Sequence, residues 1–235
     1  MKKLACLLLA LVMMAGVLPI TARAADISYD VVGGKIYFDA ATGTITDCDT
    51  SVTEAVIPSE IYGVKVTAIK NNAFYDCKSI VKVSLPETVE SIGEYAFYGC
   101  KSLETVNIPS KVKAIEERTF YNCNSLSKIE LPKSLISIGS AAFVRTALNT
   151  ISIPDSLKYL GISTFVGCNS LKQATLGKGV TELSDYLFED CANLTSVVIK
   201  GNITRIGIST FDGCSNLDFS IPNGVSVLGS GAFRE

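Results

Sequence analysis

Phenylalanine recurs along this chain at Phe74, Phe97, Phe120, Phe143, Phe165, Phe188, Phe211 and Phe233, with gaps of 23, 23, 23, 22, 23, 23 and 22 residues. Self-similarity at a period of roughly 20–29 residues predicts a repeat solenoid, in which each repeat forms one coil and buries its apolar face by stacking on its neighbours. The consequence is functional as well as architectural. A solenoid displays rows of exposed side chains along a rod, and binding rather than an enclosed catalytic pocket is its usual output.

The coil is clearest at Leu103-Glu104-Thr105-Val106-Asn107-Ile108-Pro109. Val106 and Ile108 point inward two residues apart while Thr105 and Asn107 point outward, the alternation of a half-buried strand. Pro109 ends it, because proline cannot donate to a ladder. Val112 and Ile115 form a second apolar pair, and Glu117-Arg118-Thr119-Phe120 leads to Cys123. Phe120 and Cys123 are three apart, so a helical turn brings both to one buried face. Each coil therefore reads as strand, proline corner, extended segment and helical turn, with the strand bonded to the coils above and below in a parallel sheet. At about 4.8 Å per strand, eight coils make a rod roughly 35–40 Å long.

Residues 1–24 have the pattern of a secretory signal peptide: Lys2 and Lys3, an apolar stretch from Leu4 to Leu18, Pro19, then Ala22-Arg23-Ala24 as a small-x-small cleavage site. That stretch falls short of the roughly 20 residues a spanning helix needs, so no membrane insertion is expected after cleavage. Cys6 precedes most of it, which argues against lipid attachment there. Residues 25–51 read as an N-terminal β cap, since Ile27 to Val31 and Lys35 to Phe38 alternate around Gly33-Gly34 and a third short run follows Gly43. A cap is needed because the first coil otherwise exposes an apolar end. Residues 52–235 read as the solenoid. Its first coil carries an insertion near Tyr62-Gly63, and the coil of Phe143 is one residue short, with Thr146 where cysteine is expected. The last strand, Leu217 to Ile221, is also a residue short, and Gly177 and Lys200 replace the corner proline. The stop at Phe233-Arg234-Glu235, inside a turn, raises the expectation of a fragment or of an end covered by another chain.

Composition removes whole classes of chemistry. The chain has no His, the commonest general base and metal ligand, and no Trp. Its net charge is −2, with the charges scattered, so neither nucleic acid nor an anionic membrane is an expected partner. No Ser-His-Asp set, Cys-His pair, phosphate loop or carboxylate cluster occurs, and no catalytic residue, metal or cofactor is expected.

The repeated order Cys-x-x-Leu-x-x-Val-x-Ile-Pro-x-x-Val-x-x-Ile-Gly-x-x-Ala-Phe resembles the BspA-type bacterial surface leucine-rich repeats. Cys77, Ile80, Val83, Leu85, Pro86, Val89, Ile92, Gly93, Ala96 and Phe97 carry the match in one coil. The resemblance covers roughly residues 52–235, and Ala41-Thr42-Gly43-Thr44-Ile45 resembles the family's opening segment. Lys111 and Ser134 stand where the plant and animal type of repeat places its asparagine ladder. The resemblance implies a right-handed leucine-rich-repeat superhelix of about eight coils on a secreted or cell-surface protein. It also implies adhesion or protein binding without catalysis.

Three columns follow from the period. Cys77, Cys100, Cys123, Cys168, Cys191 and Cys214 each lie three residues after a repeat phenylalanine. They read either as a ladder of buried free thiols or as a series of disulfides. Thr146 breaks the column and seven cysteines follow the leader, an odd number, so the thiol reading weighs more. Tyr75, Tyr98 and Tyr121 form a second column, read first as a solvated edge packed on its neighbours and second as a binding stripe. The outward strand positions form the third: Lys82 and Ser84, Thr105 and Asn107, Lys128 and Glu130, Thr150 and Ser152, Gln173 and Thr175. Hydroxyl and amide groups on a rigid sheet suit many modest hydrogen bonds, and these ten residues are the candidate contacts for a host or matrix protein or a surface glycan. The alternative is a structural spacer in a larger surface protein, with an enzymatic or anchoring domain beyond Glu235. Oligomeric state is not legible.

Overall fold

The computed structural model describes residues 26–234; the leader read in residues 1–24 lies outside them. Three antiparallel strands come first: β1 (Ile27–Val31), β2 (Gly34–Asp39) and β3 (Thr44–Cys48). The β1–β2 turn depends on Gly33, which has φ +88° and whose Cβ position lies 2.6 Å from the Ser51 carbonyl. Only glycine tolerates both constraints. β3 then pairs parallel with Ala68–Ile69, and β4 (Glu54–Val56) pairs parallel with Lys82–Ser84. The meander thus seeds one parallel ladder of the rod through β3, and β4 starts the other.

Beyond it the rod has three faces. One carries the expected strands, in two groups of three: Glu54–Val56, Lys82–Ser84 and Thr105–Val106, then Thr150–Ser152, Gln173–Leu176 and Ser196–Ile199. Between the groups, residues 127–131 form no strand, so the ladder is interrupted at Lys128 and Glu130. The extended segment after each proline corner forms a second face of two-residue strands, such as Ala114–Ile115, Ser137–Ile138 and Tyr159–Leu160, paired in register. The insertion at Tyr62-Gly63 is a small hairpin joining Glu60–Ile61 to Val64–Lys65.

The third face corrects the sequence reading. No helix occurs among the described residues; each phenylalanine sits in consecutive β-turns. Around Phe97, the N–H groups of Ala96, Tyr98 and Cys100 donate to the carbonyls of Gly93, Tyr95 and Phe97. The residues two before and two after the phenylalanine have positive φ: Tyr95 (57°) and Gly99 (71°), Arg118 (50°) and Asn122 (57°), Ala141 and Arg145 (55° each). A helix needs φ of about −63° throughout. The alternating handedness turns every second N–H toward the next coil, so Tyr95, Phe97 and Gly99 donate to Glu117, Thr119 and Tyr121 at 3.0, 2.9 and 2.8 Å. Three inter-coil bonds replace one isolated helical turn, whose nucleation is unfavourable.

Inside, Phe74 to Phe211 form one stack. Successive centroids lie 5.0–5.7 Å apart and the planes agree within 13°. Each such contact adds about 0.5–1.5 kcal/mol to the area it buries. Ile, Leu and Val of the two strand faces fill the rest of the core.

Candidate binding surfaces

On the strand face the register lines up the expected residues. Thr105 lies beside Lys82, Thr150 beside Gln173, and Ser152 beside Thr175, while Ser196 and Val198 continue the two rows. Ser84 and Thr175 are half-buried, and the other eight candidates are exposed. Three of those eight are already engaged. The Asn107 amide turns back onto the preceding coil, where Oδ1 accepts the Leu85 N–H and Nδ2 donates to the Leu85 carbonyl, both at 2.8 Å. Lys128 and Glu130 pair with each other at 2.8 Å. That hydrogen bond, then the opposite charge, raises the Lys128 ammonium and lowers the Glu130 carboxyl. The longest uninterrupted polar surface is therefore Thr150, Ser152, Gln173, Thr175 and Ser196.

The turn face joins the expected tyrosine column to residues that the period did not place beside it. Tyr75, Tyr98 and Tyr121 stack with centroids 4.8 and 4.9 Å apart. Tyr95 tilts against Tyr98, and the Arg118 guanidinium lies 5.5 Å above the Tyr95 ring. Arg118 also donates to the Tyr95 hydroxyl at 2.6 Å, and that hydroxyl donates to Glu117 at 3.3 Å. The four tyrosines and Arg118, together with Val144, Val166 and Glu189, line a groove of about 490 Å3. Burial, then the neighbouring Asp190 and Asp212, raises the Glu189 carboxyl. The tyrosine column was legible from the period. Tyr95 and Arg118 were not, because their left-handed backbone is what turns them beside it.

The shortened coil of Phe143 leaves a mark as well. Where neighbouring coils place two residues between the cysteine and the leucine, this one has only Ala147. A polar notch of about 590 Å3 opens there, walled by Asn124, Arg145, Asn169, Ser170 and Asp190. The missing residue was visible in the spacing; the notch was not.

The cysteine column divides. Cys100, Cys123, Cys168, Cys191 and Cys214 are free and buried, as the favoured reading expects. Their thiols donate across coils, from Cys100 to the Phe74 carbonyl at 3.0 Å and from Cys123 to Phe97 at 3.1 Å. Burial pushes the Cys100 and Cys123 thiols well up and Cys214 up to about 12. Such thiols stay protonated and lack the thiolate a nucleophile needs. Cys77 departs from the favoured reading, because it is disulfide-bonded to Cys48 of β3. The coil of Cys77 has no preceding repeat phenylalanine to supply an acceptor carbonyl, and the cap cysteine occupies that side instead.

Residues 47–165 and 137–235 match a family model described as BspA type leucine rich repeat region, in six copies. Among solved structures, a leucine rich repeat protein of T. pallidum is 31% identical with a TM-score of 0.71, over 82% of this chain and 91% of that one. A leucine-rich repeat protein from Bacteroides ovatus is 25% identical with a TM-score of 0.62, over 87% of this chain and 60% of that one. No curated protein matches the chain.

Proposed function

Because the chain belongs to the BspA-type leucine-rich-repeat family, we propose that it is an exported, non-catalytic binding protein whose strand face engages a host or matrix protein, or a surface glycan. The observation that carries this reading is the register of Thr150 with Gln173 and Ser152 with Thr175. It holds hydroxyl and amide groups in rows on a rigid sheet, so the backbone that carries them needs no ordering on binding. Lys82 and Thr105 extend the surface toward the cap, while Asn107, Lys128 and Glu130 contribute through the groups they already engage. The leader pattern of residues 1–24 supports export, and a chain without His lacks the usual means of acid–base catalysis.

The test is biolayer interferometry of the purified protein against matrix proteins, serum proteins and surface polysaccharides. Saturable binding to one member, weakened about tenfold or more by combined Thr150→Ala, Gln173→Ala and Thr175→Ala, is the expected result. Binding that ignores this triple change removes the strand face as the site. Silence across the panel removes the binding role for these ligand classes and favours a structural spacer.

A further inference from the structure

The residue that follows each core phenylalanine changes character down the rod: Tyr75, Tyr98, Tyr121, Val144, Val166, Glu189, Asp212. All but Asp212 line the groove on the turn face. The tyrosine hydroxyls differ in what they touch. That of Tyr95 is occupied by Arg118 and Glu117. Those of Tyr75, Tyr98 and Tyr121 have no protein hydrogen-bond partner among the described residues. Three phenols thus stand unpaired at the coil pitch, their rings already ordered by stacking.

We propose that this stripe docks a proline-rich peptide in the polyproline II conformation, with a basic residue at the Glu189 end. The pitch is the first argument. Tyr75 and Tyr121 are two steps apart, about 9.7 Å, and polyproline II repeats every three residues at about 9.3 Å. A β-strand repeats its facing side chains at about 6.6–6.8 Å and drifts out of step at once. Hydrogen bonding is the second argument. Polyproline II leaves its carbonyls unbonded, so it accepts what a row of phenols donates. Ring burial and charge complete the match. Val144 and Val166 give the proline rings an apolar floor, and the five steps from Tyr75 to Glu189 span about 25 Å, or about eight residues at 3.1 Å each. Glu189 then sits beside Asp190 and Asp212, of which Asp212 alone has an ion-pair partner among the described residues, Arg234. A Lys or Arg arriving there pairs with Glu189, whose carboxyl is raised first by burial and then by Asp190 and Asp212, and offsets the repulsion among the three. The stripe lies on a different face from the strand surface, so the two assignments stand or fall separately.

The test is fluorescence anisotropy with two labelled decapeptides, eight prolines followed or preceded by two lysines, and cellohexaose as a competitor. The expected result is saturable binding of at least one peptide, weakened about tenfold by Tyr98→Ala and about threefold by both Tyr98→Phe and Glu189→Gln. Glu189→Gln also flattens the dependence on ionic strength, and Thr150→Ala with Gln173→Ala leaves affinity unchanged. If Tyr98→Ala unfolds the protein, Tyr98→Phe, which keeps the stacked ring, decides. Three results overturn the proposal: no saturable binding of either peptide, binding indifferent to Tyr98→Phe and Glu189→Gln, or displacement by cellohexaose, which assigns the stripe to a glycan.

Discussion

Phe120→Ala is the sharpest test of how the rod holds together. Phe120 is fully buried and stacks on Phe97 at 5.4 Å and on Phe143 at 5.5 Å. Truncation to Ala removes the ring and leaves a cavity, which in cores costs about 3–5 kcal/mol. The substitution also breaks two ring contacts of about 0.5–1.5 kcal/mol each, so the upper part of that range applies, about 4–5 kcal/mol. Phe233 is the internal control. It is 38% exposed and stacks on Phe211 from one side at 5.3 Å, with Phe219 tilted against it at 5.9 Å. Phe233→Ala should cost about 1–2 kcal/mol, because less area leaves the core and no closed cavity forms. Urea unfolding followed by far-UV circular dichroism measures both, and for a chain of this size the central change lowers Tm by about 10 °C or more. A central coil also couples both halves, so Phe120→Ala should broaden the transition, as expected when stability is a sum of nearest-neighbour terms. Equal costs for the two substitutions, or less than about 2 kcal/mol for Phe120→Ala, would refute the stacked-coil account.

Further outcomes are expected. Iodoacetamide in denaturant without reductant should label five cysteines after the leader, with Cys48 and Cys77 becoming reactive only on reduction; labelling of all seven rules the bond out. Cys48→Ser should lower stability by about 3.5 kcal/mol, the chain-entropy value for a closed loop of this length, read from urea midpoints under oxidising conditions. Without denaturant, the buried thiols of Cys100, Cys123, Cys191 and Cys214 should resist Ellman's reagent across about pH 6–9, since all four are held above the ordinary thiol range, Cys214 at about 12, and carry almost no thiolate there. Arg145→Gly should stabilise by about 0.5–1 kcal/mol, because a side chain at φ 55° costs about 1–2 kcal/mol and glycine returns part of it as backbone entropy. Gly213→Ala, at the same place in its coil, should do the reverse, since its Cβ would lie 2.8 Å from Asp190 Oδ1.

The tyrosine groove shows where sequence reasoning stops. Tyr75, Tyr98 and Tyr121 share one place in the repeat, so their stacking was readable once the period was known. Tyr95 and Arg118 occupy the place two before the phenylalanine, where other coils carry Ala141, Ser163 and Tyr186. Nothing in that mixture signals a left-handed backbone, which is imposed by bonds to the next coil. Asn107 is a parallel case. Its outward place was legible, but its return to the Leu85 backbone needs the neighbouring coil in position.

What the sequence determined by itself is the set of features that repeat, namely the coil, its buried phenylalanine column and the cysteine column beside it, together with a meander at Gly33-Gly34 that starts the stack. Burial at a fixed period is a local pattern, and a core residue must recur wherever the coil does. The tertiary structure alone decided the turn conformation, the gap in the strand ladder at Lys128 and Glu130, the Cys48–Cys77 bond and the groove beside Arg118. Each depends on which backbone group or side chain of one coil meets its neighbour about 23 residues away in sequence, and contacts between coils leave no local trace in the residues that make them.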